Sequence, residues 1–278
     1  MPELPEVEVT RRGIAPYLEQ ETVSGLVLRR EGLRWPFAPD LAQQLMGRKI
    51  EACERRGKYL ILQFAHGVLI LHLGMSGHLR ILPPGIAPEK HDHVDLQMGQ
   101  GAAARVLRFT DPRRFGAVLW HAHADGPWQA HPLLAHLGVE PLQEGFDGAV
   151  LHQGCRKRSA AIKQVLLAGD IVVGVGNIYC SEALFMARIH PKTPANRLSR
   201  ARCDKLAGAI RQILAAAIEK GGSTLRDFLQ VNGQSGYFQQ DYFVYARSGQ
   251  PCRVCQHPVR QLQQGQRSTF YCAHCQHW

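Results

Sequence analysis

Two Cys-x-x-Cys pairs, Cys252 with Cys255 and Cys272 with Cys275, constrain this chain more than any other feature of its sequence. Each pair can set two thiolates on one turn, and residues 256–271 between them can run out and back as a β-hairpin. Four sulfurs then close a tetrahedral shell around one Zn²⁺, with no position left for water or substrate. Such a metal is structural and does no chemistry. The other cysteines, Cys53, Cys155, Cys180 and Cys203, are isolated in sequence, which suits a reducing cytoplasm better than a disulfide scaffold.

The residues around the metal point to a partner. No Asp or Glu occurs from Tyr242 to Trp278, whereas Arg247, Arg253, Arg260 and Arg267 are spread through the hairpin and its approach. With Ser268, Thr269, Phe270 and Tyr271 close by, this composition suits a phosphate backbone. The whole chain agrees: 33 Lys and Arg against 23 Asp and Glu leave a formal charge of +10. That excess concentrates a polyanion and releases its counterions on binding. The start, MPELPEVE, carries acids and prolines where a secretory signal would carry cations and an apolar run. No stretch reaches transmembrane length, so the reading is a cytoplasmic protein with no membrane partner.

The hydrophobic pattern divides the 278 residues into a β half and an α half. Short runs rich in β-branched residues begin at Val23, Tyr59, Val68, His93, Arg105 and Ala117, punctuated by Gly and Pro. They predict a β-sandwich of roughly six to eight strands. A helix precedes it, because Pro5 suits a first helical position and Val7, Ile14 and Leu18 follow helical spacing. A second short helix is expected over 38–46. Residues 131–150, rich in Gly and Pro, read as a linker between a catalytic domain over 1–130 and a helical domain over 151–240. Helices are expected over 159–167, 178–186 and 200–220, and the zinc hairpin over 241–278 forms the last domain. The fold class is α+β.

The N-terminus carries the chemistry. Removal of the initiator Met would leave Pro2 as a secondary amine beside Glu3 and Glu6. An α-amino group has a pKa of about 7.7–8.0, so part of it is a neutral nucleophile at working pH. Its adduct with an aldehyde-level carbon is an iminium that cannot lose its charge by N-deprotonation, and so acts as an electron sink. Taken alone, Pro5, Glu6 and Glu8 are better explained as a helix start, with acids at its positive end.

MPELPEVE does not stand alone. It is followed, in order, by His72-Leu-Gly-Met-Ser-Gly, Lys90-His-Asp-His, Thr110-Asp-Pro-Arg-Arg-Phe-Gly, Val173-Gly-Val-Gly-Asn-Ile-Tyr and the Cys-x-x-Cys hairpin with Gln266-Arg-Ser-Thr-Phe-Tyr-Cys. Over essentially its whole length the chain resembles the formamidopyrimidine-DNA glycosylases, bacterial enzymes that remove 8-oxoguanine and ring-opened purines. The resemblance implies a helix-two-turns-helix element in the α half and double-stranded DNA, bound by a monomer in the cleft between the halves.

It also implies residue roles. Pro2 would attack C1′ of the damaged nucleotide, Glu3 would be the acid/base, Lys58 would be the third catalytic residue, near the lesion and its phosphate, and Glu6 would support the site. His72, His91, Arg113, Lys163, Asn177, Tyr245 and Arg267 would contact DNA. An enzyme acting on a base inside a duplex must extrude it and fill the gap. Met75, Arg113 and Phe115 match the family's wedge, two apolar groups and one hydrogen-bond donor for the orphaned cytosine. Ser223 and Thr224 would belong to a loop over the flipped purine.

Two departures stand out: Ala246 replaces a glycine common in the family, and 99–104 is a lengthened hairpin tip. The rival readings are the related endonuclease VIII branch, against which Leu4 and the Met75, Arg113, Phe115 set argue, and a zinc-dependent DNA-binding protein without catalysis, which leaves MPELPE unexplained.

Overall fold

The computed structural model describes residues 2–222 and 241–278, so Ser223 and Thr224 lie outside the described residues. The described residues form two compact units. Residues 2–135 and 220–222 make one; 136–219 and 241–278 make the other.

The first unit opens with α1 (Leu4–Leu18), followed by β1 (Val23–Leu28), α2 (Leu41–Leu45), β2 (Ala52–Arg56), β3 (Tyr59–Phe64), β4 (Gly67–His72), β5 (His78–Leu82), β6 (Asp92–Met98), β7 (Arg105–Thr110) and β8 (Ala117–Ala122). The eight strands form two antiparallel four-stranded sheets, ordered β1-β6-β7-β5 and β2-β3-β4-β8. Leu60, Leu62, Leu69 and Leu71 of one sheet share a core with Leu79, Leu96, Leu107 and Phe109 of the other. Val7, Ile14 and Leu18 of α1 join that core. Burial of apolar faces on both sheets is what specifies the sandwich.

Two strands are absent from the hydrophobic pattern. β2 reads Ala-Cys-Glu-Arg-Arg, of which only Cys53 is buried, because it is an edge strand with a polar outer face. β5, also an edge, alternates His78, Arg80 and Leu82 with Leu79 and Ile81. The 99–104 tip holds a single 3₁₀ turn, Gly101–Ala103.

The second unit contains α3 (Gly148–Cys155), α4 (Ile162–Ala168), α5 (Asn177–Met186), α6 (Arg200–Glu219), β9 (Arg260–Gln264) and β10 (Arg267–Tyr271). Every residue from Ile178 to Phe185 is buried, so α5 is the internal helix around which the unit packs. The linker expectation for 131–150 meets a correction here: Val139 pairs with Val172, and α3 begins at Gly148 with Asp147 Oδ1 accepting from Val150 N–H. A Cβ on Gly148 would lie 2.5 Å from the Asp204 backbone, so glycine is needed there for α3 to approach α6. The hairpin is not a separate body either, since Phe185 of α5 shares a core with Val244, Val259, Phe270 and the cysteines. Among the described residues no helix is long and apolar enough to cross a membrane.

Candidate functional site

Pro2 is buried immediately before α1, and Glu3 and Glu6 are 2% and 0% exposed. The two acids form a reciprocal capping box. Glu3 N–H donates to Glu6 Oε2 at 2.9 Å, and the Glu3 carboxylate accepts from the Glu6 backbone N–H. The motif that places two acids beside a terminal amine is therefore also the motif that starts the helix. Gly222, at φ 82, comes so near Glu6 that a Cβ there would lie 3.3 Å from Oε1.

Lys58 and His72 meet at one end of the second sheet. Gly57 and Lys58 form the two-residue turn between β2 and β3, with Gly57 at φ 58 as the first turn residue. His72 pairs with Tyr59 across β3 and β4, their rings 4.7 Å apart. Burial pushes the His72 imidazole down to about 4, and the charges of Lys58 and Arg34 add to that shift. Its Nδ1 accepts from Gly74 N–H at 3.1 Å, so the neutral ring carries its proton on Nε2 and offers a donor suited to a phosphate oxygen. Arg34 was not legible in the sequence, where it reads as surface. Its backbone N–H donates to the Gly116 carbonyl, and its charge acts on both Tyr59 and His72.

Met75, Arg113 and Phe115 are brought together by two facing loops. Met75 is half-buried in a turn, Phe115 is 44% exposed, and the Arg113 guanidinium lies 4.9 Å above the Phe115 ring. Gly74, at φ 66, permits the approach, because a Cβ there would sit 2.5 Å from Phe115 C and Gly116 N. Ser76 Oγ accepts from Arg113 N–H and donates to Asp111 Oδ1, while Asp111 Oδ2 accepts from Gly116 N–H. His91 is half-buried in the turn immediately before β6, and its carbonyl accepts from Asp111 N–H.

In the second unit, Asn177 opens α5 behind the glycine turn Gly174–Gly176, and its Nδ2 donates to the Ser268 carbonyl at 3.1 Å. Arg267 is exposed at the start of β10, directly after the turn Gly265–Gln266. Lys163 is 0% exposed, and its ammonium donates to the Ser268 carbonyl at 3.1 Å and to Thr269 Oγ1 at 2.8 Å. It supports the strand that carries Arg267. A buried charge needs such partners.

Glu182 is another group the sequence reading missed, although an acid inside the apolar run Cys-Ser-Glu-Ala-Leu-Phe is a signal. It is fully buried on α5 and accepts from the backbone N–H groups of Phe243, Val244 and Tyr245 at 2.8, 3.0 and 2.8 Å. Burial pushes its carboxyl up despite those three donors. This grip fixes the segment carrying Tyr245, whose ring lies 5.1 Å from Phe270. Ala246 follows at φ 57, a conformation glycine adopts without strain.

The sulfurs of Cys252, Cys255, Cys272 and Cys275 all lie within 4.8 Å of one another. Sγ of Cys255 and Cys272 are 3.4 Å apart, those of Cys252 and Cys275 4.0 Å. Ligands at about 2.3 Å from a tetrahedral zinc are about 3.8 Å apart, so the four thiolates fit one structural zinc ion.

A sandwich led by buried acids is joined in one chain to a helical unit with a four-thiolate hairpin, the arrangement that the resemblance to a DNA repair enzyme of the helix-two-turns-helix class implies. Family models agree: the formamidopyrimidine-DNA glycosylase N-terminal domain matches residues 1–118, the H2TH domain of the same enzymes 137–229, and a zinc finger found in FPG and IleRS 249–277. The chain belongs to the formamidopyrimidine-DNA glycosylase family, whose members are glycosylases with AP lyase activity.

It is 66% identical over 276 residues to the formamidopyrimidine-DNA glycosylase of Janthinobacterium sp. (strain Marseille), covering 99% of this chain and 100% of that one. The Herminiimonas arsenicoxydans enzyme is equally similar, with 66% identity and the same coverage. The crystal structure of MutM (Fpg) from Thermus thermophilus superposes with a TM-score of 0.87 at 37% identity, covering 99% of this chain and 98% of that one. A Lactococcus lactis Fpg variant in complex with Fapy-dG-containing DNA does so with 0.89 at 31%, covering 99% of each chain.

Proposed function

We propose that the protein, acting as a monomer in the cytoplasm, excises oxidised purines such as 8-oxoguanine and formamidopyrimidines from duplex DNA through the Pro2 amine, then cleaves the strand. One observation carries the reading: Pro2 is buried beside the Glu3–Glu6 capping box, so a terminal amine and two carboxylates share one rigid helix start. With Met1 removed, the Pro2 nitrogen attacks C1′, the glycosidic bond breaks and the purine departs. Glu3 delivers a proton to the ring oxygen as the sugar opens to an iminium. Loss of the 2′-proton then expels the 3′ phosphate, and a second elimination expels the 5′ phosphate.

The remaining groups bind and orient. Neutral His72 offers Nε2–H, while Lys58, Arg267 and the charge excess favour the phosphates. Met75 and Phe115 are wedges of the size needed to hold the stack open. The zinc holds the hairpin and takes part in no step. Burial pushes the Cys53 and Cys155 thiols up to about 12, so they stay protonated and take no part in the chemistry.

Borohydride trapping on duplexes containing 8-oxoguanine or dihydrouracil tests the reading. Expected is a covalent adduct at Pro2 with the 8-oxoguanine duplex as preferred substrate, and a Glu3→Gln variant that binds DNA but excises slower by about 100-fold or more. No adduct would leave a DNA-binding protein, and a preference for dihydrouracil would move the chain to the pyrimidine-specific branch.

A further inference from the structure

A carboxylate that no step above uses connects the two parts of the first-unit site. Glu8 lies on α1, and its oxygens accept from Arg11 and Arg12 on the same helix and from Arg55 Nε of β2 at 3.1 Å. Arg55 directs Nη1 to the Gly57 carbonyl at 2.9 Å, and Arg11 directs Nη1 to the Cys53 carbonyl at 3.2 Å. One acid on the helix therefore holds β2 near both of its ends.

The Gly57 carbonyl belongs to the peptide bond that leads into Lys58. Fixing that peptide plane in a two-residue turn fixes the direction in which the Lys58 side chain leaves the backbone. Both partners are sheltered, with the side chains of Arg55 and Glu8 8% and 11% exposed, so the link is not a loose surface ion pair. Burial alone would raise the Glu8 carboxyl, but the guanidiniums of Arg11, Arg12 and Arg55 outweigh it and hold the group near about 2, charged at any working pH.

We propose that Glu8 and Arg55 are positioning residues for the glycosylase reaction, registering the helix that begins at Pro2 and Glu3 against the turn that presents Lys58. The inference rests on the roles given above to Pro2, Glu3 and Lys58. A guanidinium fork can hold the Glu8 carboxylate and the Gly57 carbonyl at once; an ammonium at the same place keeps the charge but reaches one or the other. This separates positioning from simple charge pairing.

The test compares wild type, Arg55→Lys, Glu8→Gln and the double variant. Readouts are thermal midpoint, hydrogen exchange at the amides of residues 57 and 58 without DNA, affinity for DNA holding an uncleavable abasic-site analogue, and single-turnover excision of 8-oxoguanine. Expected are faster exchange at the turn, affinity within about twofold, and excision slowed by about 10-fold or more in each single variant, because small misplacements of reacting groups are costly. The double variant should be no slower than the slower single one. Wild-type exchange and excision rates in Arg55→Lys would overturn the proposal, as would rate losses that merely follow the loss of folded protein. Because exchange is read without substrate, a wild-type protein that forms no adduct sinks the functional reading, whereas unchanged exchange in both variants sinks the positioning.

Discussion

Ser76 Oγ donates to Asp111 Oδ1 across 2.9 Å and accepts from Arg113 N–H at 3.2 Å, and these two bonds join the turn of Met75 to the loop of Arg113 and Phe115. Asp111 is 0% exposed and its Oδ2 also accepts from Gly116 N–H at 2.8 Å. In Asp111→Asn, one carboxamide oxygen remains for one of these donors, and the NH₂ must face the other. A buried donor left unsatisfied costs about 1–3 kcal/mol. The variant should lose about that much stability in denaturant unfolding and extrude lesions more slowly, while its DNA affinity keeps the wild-type salt slope. Unfolding that matches wild type would show that the two loops are held by something else.

Much of this arrangement was legible in the sequence, for definite reasons. The four cysteines fix a metal shell by spacing, and α1, β3, β4, β6, β7 and β8 announce themselves by apolar periodicity. What stayed hidden lies where polar chemistry replaces burial. β2 and β5 are edge strands with charged faces. Nothing in the sequence around Lys163 announces the hairpin carbonyl of Ser268, 105 residues away, that lies beside its ammonium. Glu182 and Asp111 bind backbone N–H groups from 61 to 63 and 5 residues away, and such pairings leave no periodic trace.

His72 should stay neutral well below the pH at which histidines ordinarily titrate. With burial holding its folded pKa near about 4 against 6.5 for an exposed ring, the unfolded chain binds more protons between those values. The contribution of His72 to stability is therefore full above pH 6.5 and falls as pH drops toward 4. Nitrogen-15 NMR of the free protein should show a single Nε2–H tautomer at about pH 6. A midpoint near 6.5, the ordinary value, would mean that the ring is solvated, and would remove the neutral-donor role.

Ala246 occupies φ 57, where a Cβ costs about 1 kcal/mol relative to glycine. Ala246→Gly relieves that strain but gains unfolded-state entropy, so a net stabilisation of about 0.5 kcal/mol is expected. Thermal unfolding should show the midpoint raised slightly and DNA affinity unharmed. A lowered midpoint would mean that the methyl group makes a compensating contact.

The zinc should matter for DNA binding through Arg267 and not through chemistry. Cys272 is fully buried and shares its core with Phe185, Val244 and Phe270, so Cys272→Ser removes a thiolate and loosens a packed cluster together. Metal-ligand free energy is folding free energy in a module this small. β9 and β10 should therefore lose their pairing, and with it the register that sets Arg267 opposite Gln264. The sandwich has its own core and should remain folded, leaving most of the strand signal in far-UV dichroism. The salt slope of DNA binding should flatten by about one unit for each phosphate that the hairpin no longer neutralises, the partner of Arg267 being the first. Zinc content, dichroism and the slope can be read on one sample. A zinc-free protein with the wild-type slope would show that Arg267 does not need the hairpin, and full zinc occupancy in Cys272→Ser would show that the site closes without its third thiolate.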